Sequence, residues 1–146
     1  MQALEAYHQL TRAADSVSNA LSRALKPHGI TLSQLSVMET LRESGPLHQR
    51  LIGQKLLRSS GNITTVVENL ERRGLVRRKR GVRDRRFVTV HLTASGKALL
   101  ESILPGWQDE VRQAMGVLSG EDQATLARIC ESLEETPEED EELVNK

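Results

Sequence analysis

Across 146 residues this chain has one cysteine, four prolines and three aromatic residues, Tyr7, Phe87 and Trp107. One cysteine, Cys130, cannot make an intramolecular disulfide, which excludes a disulfide scaffold and fits a reducing cytosol. With so few rings the core has to be aliphatic. No apolar run reaches the roughly 18–20 residues that cross a bilayer, and the opening MQALEAYHQL lacks the basic head and apolar stretch of a signal peptide. The expectation is a soluble, cytoplasmic protein with no membrane partner. The four histidines, His8, His28, His48 and His91, share no tight ligand spacing, so no metal is expected. No nucleophile–base pair or phosphate-cradling glycine loop is visible either, so neither an enzyme nor a cofactor is expected.

Net charge is also missing, since 20 basic residues balance 20 acidic ones, but the charge is segregated. Leu47–Lys97 holds 13 lysines and arginines against 3 acids, and Ala98–Lys146 holds 3 against 13. Met1–Pro46 is balanced at 4 against 4. A basic middle third suits a polyanion, and the acidic end is repelled by the same polyanion. The two regions neutralising each other within the fold is the alternative, although surface pairing rarely demands so large a local excess.

The apolar residues are placed mainly for helices. Leu4, Tyr7, Leu10, Ala14, Val17, Leu21 and Ala24/Leu25 recur at spacings of three and four from Ala3 to Lys26, a narrow packing seam that Pro27 and Gly29 end. Thr31-Leu-Ser-Gln34 has the form of a capping box, opening a helix with Leu35, Met38 and Leu41 inward that Gly45-Pro46 stops. A short helix from about Gln49 to Leu57 is expected to bury Leu51, Ile52 and Leu56. The turn Arg58-Ser59-Ser60 leads into SSGNITTVVENLERRG, where Ile63, Val66, Val67 and Leu70 mark one buried helical face and Gly74 the stop. Leu75–Arg80 and Phe87–Leu92 are β-prone and predict a two-stranded hairpin with the basic tip Gly81–Arg86. Thr93 caps a fifth helix, which Pro105-Gly106 should kink rather than end because Leu99, Leu100, Ile103, Leu104, Trp107, Val111, Ala114, Met115 and Leu118 keep the spacing on both sides. Ser119-Gly-Glu-Asp122 opens a sixth helix with Leu126, Ile129, Cys130 and Leu133 inward, and the acidic segment 135–146 reads as a disordered tail.

The fold class expected is mainly α with a small β-ribbon: a winged helix-turn-helix with long N- and C-terminal helices. One domain spans 1–134, its winged unit covering about 31–92 and its long terminal helices about 3–27 and 93–134. The terminal helices carry more apolar positions than one small domain covers, so they are expected to pack together and against a second copy. A monomer in which they wrap the winged unit is the alternative.

Small polar residues crowd the first two turns of the fourth helix: Ser59, Ser60, Gly61, Asn62, Thr64 and Thr65. Ordinary N-capping accounts for one serine. The whole set fits a helix entering the DNA major groove amino end first, where short side chains let backbone and base edges meet. Helix-start N–H groups suit a phosphate, and Asn62, Thr64 and Thr65 can hydrogen-bond base edges, with Glu68, Asn69 and Arg72 extending the same face. At the hairpin tip Arg83, Arg85 and Arg86 repel one another unless an anionic groove receives them, and Asp84 can pair with one of them. Arg77, Arg78, Lys79 and Arg80 are candidates to follow the phosphate backbone.

These stretches resemble the multiple-antibiotic-resistance regulator (MarR) family of bacterial transcription factors, over roughly Leu4 to Leu133. The likeness is carried by ITLSQLSVMETL, LLRSSGNITTVVENLERRGLVRR and DRRFVTVHLTASG, above all by Asp84-Arg85-Arg86 and Leu92-Thr93-x-x-Gly96. It implies a winged helix-turn-helix homodimer on a pseudo-palindromic double-stranded operator, with the helix from Ser60 in the major groove. Arg85 would enter the minor groove, and Arg86 paired with Asp84 would brace the wing. It further implies a repressor released by a small phenolic or amphipathic molecule or an oxidant. The alternative is an architectural or anti-silencing DNA binder with no effector. Tyr7, His8, His28, Met38 and Trp107 are candidates to line an effector site, with Met38 and Trp107 better read as core. Cys130 lies on an apolar stripe and reads as a packing thiol.

Overall fold

The computed structural model describes residues 1–56 and 60–134. Its elements follow in the order α1 (Gln2–Leu25), a 3₁₀ turn (Lys26–His28), α2 (Leu32–Ser44), β1 (Leu47–His48), α3 (Gln49–Lys55), α4 (Ser60–Arg72), β2 (Val76–Arg80), β3 (Val88–Leu92), α5 (Ala94–Met115) and α6 (Gly120–Glu134). The chain forms two compact units, Met1–Val111 and Arg112 onward. Arg58, Ser59 and the acidic tail lie outside the described residues. Among the described residues no helix is long and apolar enough to cross a membrane.

Local chemistry sets the boundaries. Proline at the second position of the 3₁₀ turn and Gly29 at φ 65° end α1, because a left-handed residue cannot continue the helix and only glycine takes it without a Cβ penalty. Thr31 and Gln34 form the reciprocal capping box at the start of α2: the Gln34 N–H donates to Thr31 Oγ1 at 3.1 Å, and the Thr31 N–H to Gln34 Oε1 at 3.0 Å. Gly74 at φ 72° turns the chain from α4 into β2. At the head of α5 the Thr93 hydroxyl accepts from the Gly96 N–H at 3.0 Å and donates to the Gly74 carbonyl at 2.7 Å. The Thr93 N–H reaches the Leu75 carbonyl at 3.1 Å. Two of these bonds tie the start of α5 to the corner after α4, and the third caps the helix itself.

The core of the first unit is aliphatic, as the scarcity of rings requires. Leu25, Leu35, Val37, Met38, Leu41, Ile52, Ile63, Val67, Leu70, Val76, Val90, Leu100 and Ile103 are all buried, joining α1, α2, α3, α4, the sheet and α5. All four apolar positions of the fourth-helix stripe are among the buried residues, Val66 included.

Three expectations are corrected. The ribbon is a three-stranded antiparallel sheet in the order β1-β3-β2, because Leu47 and His48 pair with Val90 and Thr89. A two-residue strand has no alternation to detect. Leu51 is exposed, since it sits about 100° around a seven-residue helix from its buried neighbour Ile52. Leu126, Ile129 and Leu133, expected inward on α6, are exposed in the single chain, as are Leu4, Tyr7 and Leu10 on α1. α5 continues through Pro105 without ending. In the second unit Ser119 Oγ accepts from the Asp122 N–H at 3.1 Å, and Gln123 Nε2 donates to the carbonyls of Met115 and Leu118.

Candidate nucleic-acid interface

Helices α3 and α4, joined by a short connection, pack on each other, and α4 packs on α2, the arrangement of a helix-turn-helix. With Ile63, Val66, Val67 and Leu70 turned inward, Asn62, Thr65, Glu68 and Arg72 are exposed on α4, and Asn69 is half-buried. Ser60 and Gly61 begin the helix. Thr64 sits at the edge of this face: it is half-buried, and its hydroxyl accepts from Gln49 Nε2 at 3.1 Å, a bond that fixes α3 against α4. About two turns later Arg72 donates to Asn69 Oδ1 at 3.3 Å, presenting an amide and a guanidinium together.

The wing is β2, β3 and the loop between them, registered from Val76↔Leu92 to Arg80↔Val88. The Gly81 N–H closes the loop onto the Phe87 carbonyl at 2.7 Å, and the Phe87 N–H returns to the Asp84 carbonyl at 3.1 Å. Asp84 Oδ1 accepts from both the main-chain N–H and Nε of Arg86, at 3.0 and 3.3 Å. Arg80 donates to the Arg85 carbonyl at 3.4 Å. Two bracing contacts therefore flank Arg85, and Arg83, Arg85 and Arg86 are all exposed. Asp84 and Arg86 do pair across the tip. Where the loop re-enters β3, the centroid of the Phe87 ring lies 4.1 Å from that of His48.

The strand itself is electropositive. His91 lies opposite Arg77 in the register, and its pKa is lowered below the ordinary histidine value. Desolvation is the larger cause, and the charges of Lys79 and Arg77 add to it. Arg77, Lys79 and Arg80 are exposed. Arg78 is different: its backbone N–H donates to Glu71 Oε2 at 2.8 Å, and its Nε and Nη2 to Glu71 Oε1 at 3.1 and 3.0 Å. The Glu71 carboxyl is held below its usual pKa, first by that backbone N–H and then by the guanidinium.

Sequence reasoning missed this clasp, the Gln49–Thr64 bond and a third contact. Arg73 Nη1 donates to the Gly29 carbonyl at 2.6 Å, joining residues 44 positions apart. The only sequence trace of the clasp is an acid seven residues before a base across a Gly turn. Nothing in the sequence marks the other two.

A hollow of about 140 Å³ is lined by Ala24, Leu25, His28, Ile103, Gly106, Trp107 and Glu110. Two of the five candidate effector residues, His28 and Trp107, meet there. Met38 is core, and Tyr7 is exposed beside His8 on α1. Among the described residues no group of three His, Cys, Asp or Glu side chains could hold a metal ion.

The profile of the MarR family matches residues 30–88. The uncharacterized HTH-type transcriptional regulator YkoM of Bacillus subtilis is 36% identical over 86% of this chain and 81% of its own length. The structure of Sco3205, a MarR family transcriptional regulator from Streptomyces coelicolor in complex with DNA, superposes with a TM-score of 0.86 at 26% identity. That match covers 94% of this chain and 90% of Sco3205. BpsR of Bordetella bronchiseptica, whose structure concerns regulation of its DNA binding by 6-hydroxynicotinic acid, shares the fold with a TM-score of 0.83 at 22% identity, over 88% of this chain and 98% of its own.

Proposed function

Since the chain belongs to the MarR family of winged-helix, DNA-binding transcriptional regulators, we propose that it acts as a homodimeric repressor, released from its operator by a small-molecule effector. The observation that carries the DNA-contact part is the exposed polar face of α4 standing beside an arginine tip braced on both sides of Arg85. Asn62, Thr65, Glu68, Asn69 and Arg72, with Ser60 and Gly61 at the helix start, read the major groove. Arg85 enters the minor groove, with Arg83, Arg86 and Arg77 near the backbone and Asp84 holding the loop. A repressor works where the chromosome is, which places the protein in the cytoplasm.

The apolar rows left exposed on α1 (Leu4, Tyr7, Leu10) and on α6 (Leu126, Ile129, Leu133) support the homodimer. Two reading helices must sit about one helical turn, roughly 34 Å, apart to meet both half-sites. The hollow lined by His28, next in sequence to Gly29, and by Trp107 supports the effector. A guest that prefers one shape of this corner pulls, through the Gly29 carbonyl, on Arg73 just past the end of α4. Only that preference matters, because equal affinity for both shapes shifts nothing. The ligand of BpsR makes small aromatic acids the first molecules to try, followed by phenols.

The experiment is selection of the promoter fragments the protein retains, followed by release with these molecules. Release by one of them supports the repressor with an effector. Tight binding that none of them alters favours the effector-independent architectural binder. Arg85→Ala is expected to weaken operator binding and flatten the dependence of log affinity on log salt by about one unit, read by anisotropy titration. Unchanged affinity removes the wing from the mechanism. Asn62→Ala or Thr65→Ala is expected to cost about 1–3 kcal/mol on the operator and much less on random duplex. An equal loss on both means contact with phosphate only.

A further inference from the structure

We propose that Arg78 is a positioning residue for DNA binding, holding the wing at a fixed angle to α4 through Glu71 and Glu68 instead of meeting phosphate. This rests on the reading above, in which α4 and the wing both touch DNA. By sequence Arg78 is one of four consecutive basic residues, Arg77-Arg78-Lys79-Arg80. Strand alternation separates them: Val76 is buried, Arg78 turns the same way toward α4, and Arg77 and Lys79 point to the exposed face.

The Arg78 side chain is 26% exposed, and three of its nitrogens face carboxylates. Nε and Nη2 take Glu71 Oε1, and Nη1 lies 3.8 Å from Glu68 Oε1. The second Glu71 oxygen takes the backbone N–H of the same residue. A phosphate could win this guanidinium only by displacing it from the carboxylates of Glu71 and Glu68.

The clasp joins the last turns of α4 to the middle of β2. Beyond it the strand runs on to the arginine tip, about 15 Å away at a rise of about 3.3 Å per residue. Over that length a tilt of roughly 10° moves the tip about 3 Å, a full hydrogen-bond length. A wing that must reach one groove while α4 occupies another therefore needs its angle set near the root, and Arg78 with Glu71 sets it.

The test compares Arg78→Met, Arg78→Lys, Glu71→Ala, the Glu71→Ala/Arg78→Met double variant and the exposed control Lys79→Met. Each is titrated against a duplex that the wild-type protein enriches from a randomised pool and against an unselected duplex. Salt is varied, and the temperature is one at which circular dichroism shows every variant folded. Opening the clasp is expected to lower affinity for the selected duplex about tenfold in all four clasp variants, with the double variant no worse than the singles. Their salt slope should stay at the wild-type value or, for Glu71→Ala, steepen as Arg78 is released. Hydroxyl-radical protection in the outer minor groove should fade while major-groove protection stays. Lys79→Met should instead flatten the slope by about one.

The proposal is overturned if Arg78→Met flattens the slope and weakens both duplexes alike, if Arg78→Lys binds like wild type, or if Glu71→Ala has no effect. Failure of the wider reading looks different: Lys79→Met and Arg85→Ala would then leave both duplexes unchanged, and the proposal would fall with it.

Discussion

Leu10→Glu combined with Ile129→Glu is expected to leave each chain folded, make it monomeric and lower operator affinity by about a hundredfold or more. In the single chain these side chains are 40% and 48% exposed, so a carboxylate at either position costs the fold little. In a dimer that covers the rows on α1 and α6 the same carboxylates would be buried without partners, which is far more expensive. Losing the second copy turns binding of the second half-site from an intramolecular event into an independent one, and such linkage is worth about 10²–10⁴ in affinity. Sedimentation equilibrium reads the mass and anisotropy the affinity, while affinity for a random duplex should fall much less. A double variant that stays dimeric would mean that these rows are not the interface.

Gly96→Ala is expected to have the largest effect on stability, a loss of about 2–3 kcal/mol, in the range of overpacked cores. A Cβ at residue 96 would lie 2.1 Å from the Leu75 carbonyl oxygen and 2.8 Å from a Leu92 methyl. The oxygen belongs to the backbone of the corner after α4, and it also accepts the Thr93 N–H. It cannot yield without opening the bonds that join α5 to that corner. At two to four degrees per kcal/mol for a chain of this size, the melting temperature should drop by roughly 5–10 °C. Gly106→Ala makes the internal comparison: nothing lies within 4 Å of a Cβ there, and an exposed helical glycine replaced by alanine should gain about 0.5–1 kcal/mol. If the two variants melt alike, close packing at Gly96 is not what the corner depends on.

How much of this was legible in the sequence varied with the kind of signal. The α4 stripe of Ile63, Val66, Val67 and Leu70, the Thr31–Gln34 box and the Thr93 cap were readable because period and local hydrogen bonding are written in neighbouring residues. That Asp84 pairs with a neighbouring arginine was readable for the same reason, whereas the choice of Arg86 came from the family resemblance. Leu47–His48 was not, because its strand identity comes wholly from its partner β3, more than forty residues later. Nor was the division of labour within Arg77–Arg80. Four like charges in a row look equivalent until alternation turns one of them toward a carboxylate on another element. The hollow is legible only in part: His28 and Trp107 stood out as unusual residues, while Gly106 and Glu110 joined them only in space.

One helical turn of α5 has a mechanical consequence. Pro105 has no N–H to offer the carbonyl of Glu101, and glycine follows it. That turn is the most compliant stretch of a long rod, and Ile103, Gly106, Trp107 and Glu110 around it form one wall of the hollow. The backbone bends most easily where a guest molecule would lodge. On the effector reading proposed above, occupancy would act as a splint at this flexural joint, so that a molecule far smaller than the duplex would govern its grip without ever competing for a groove.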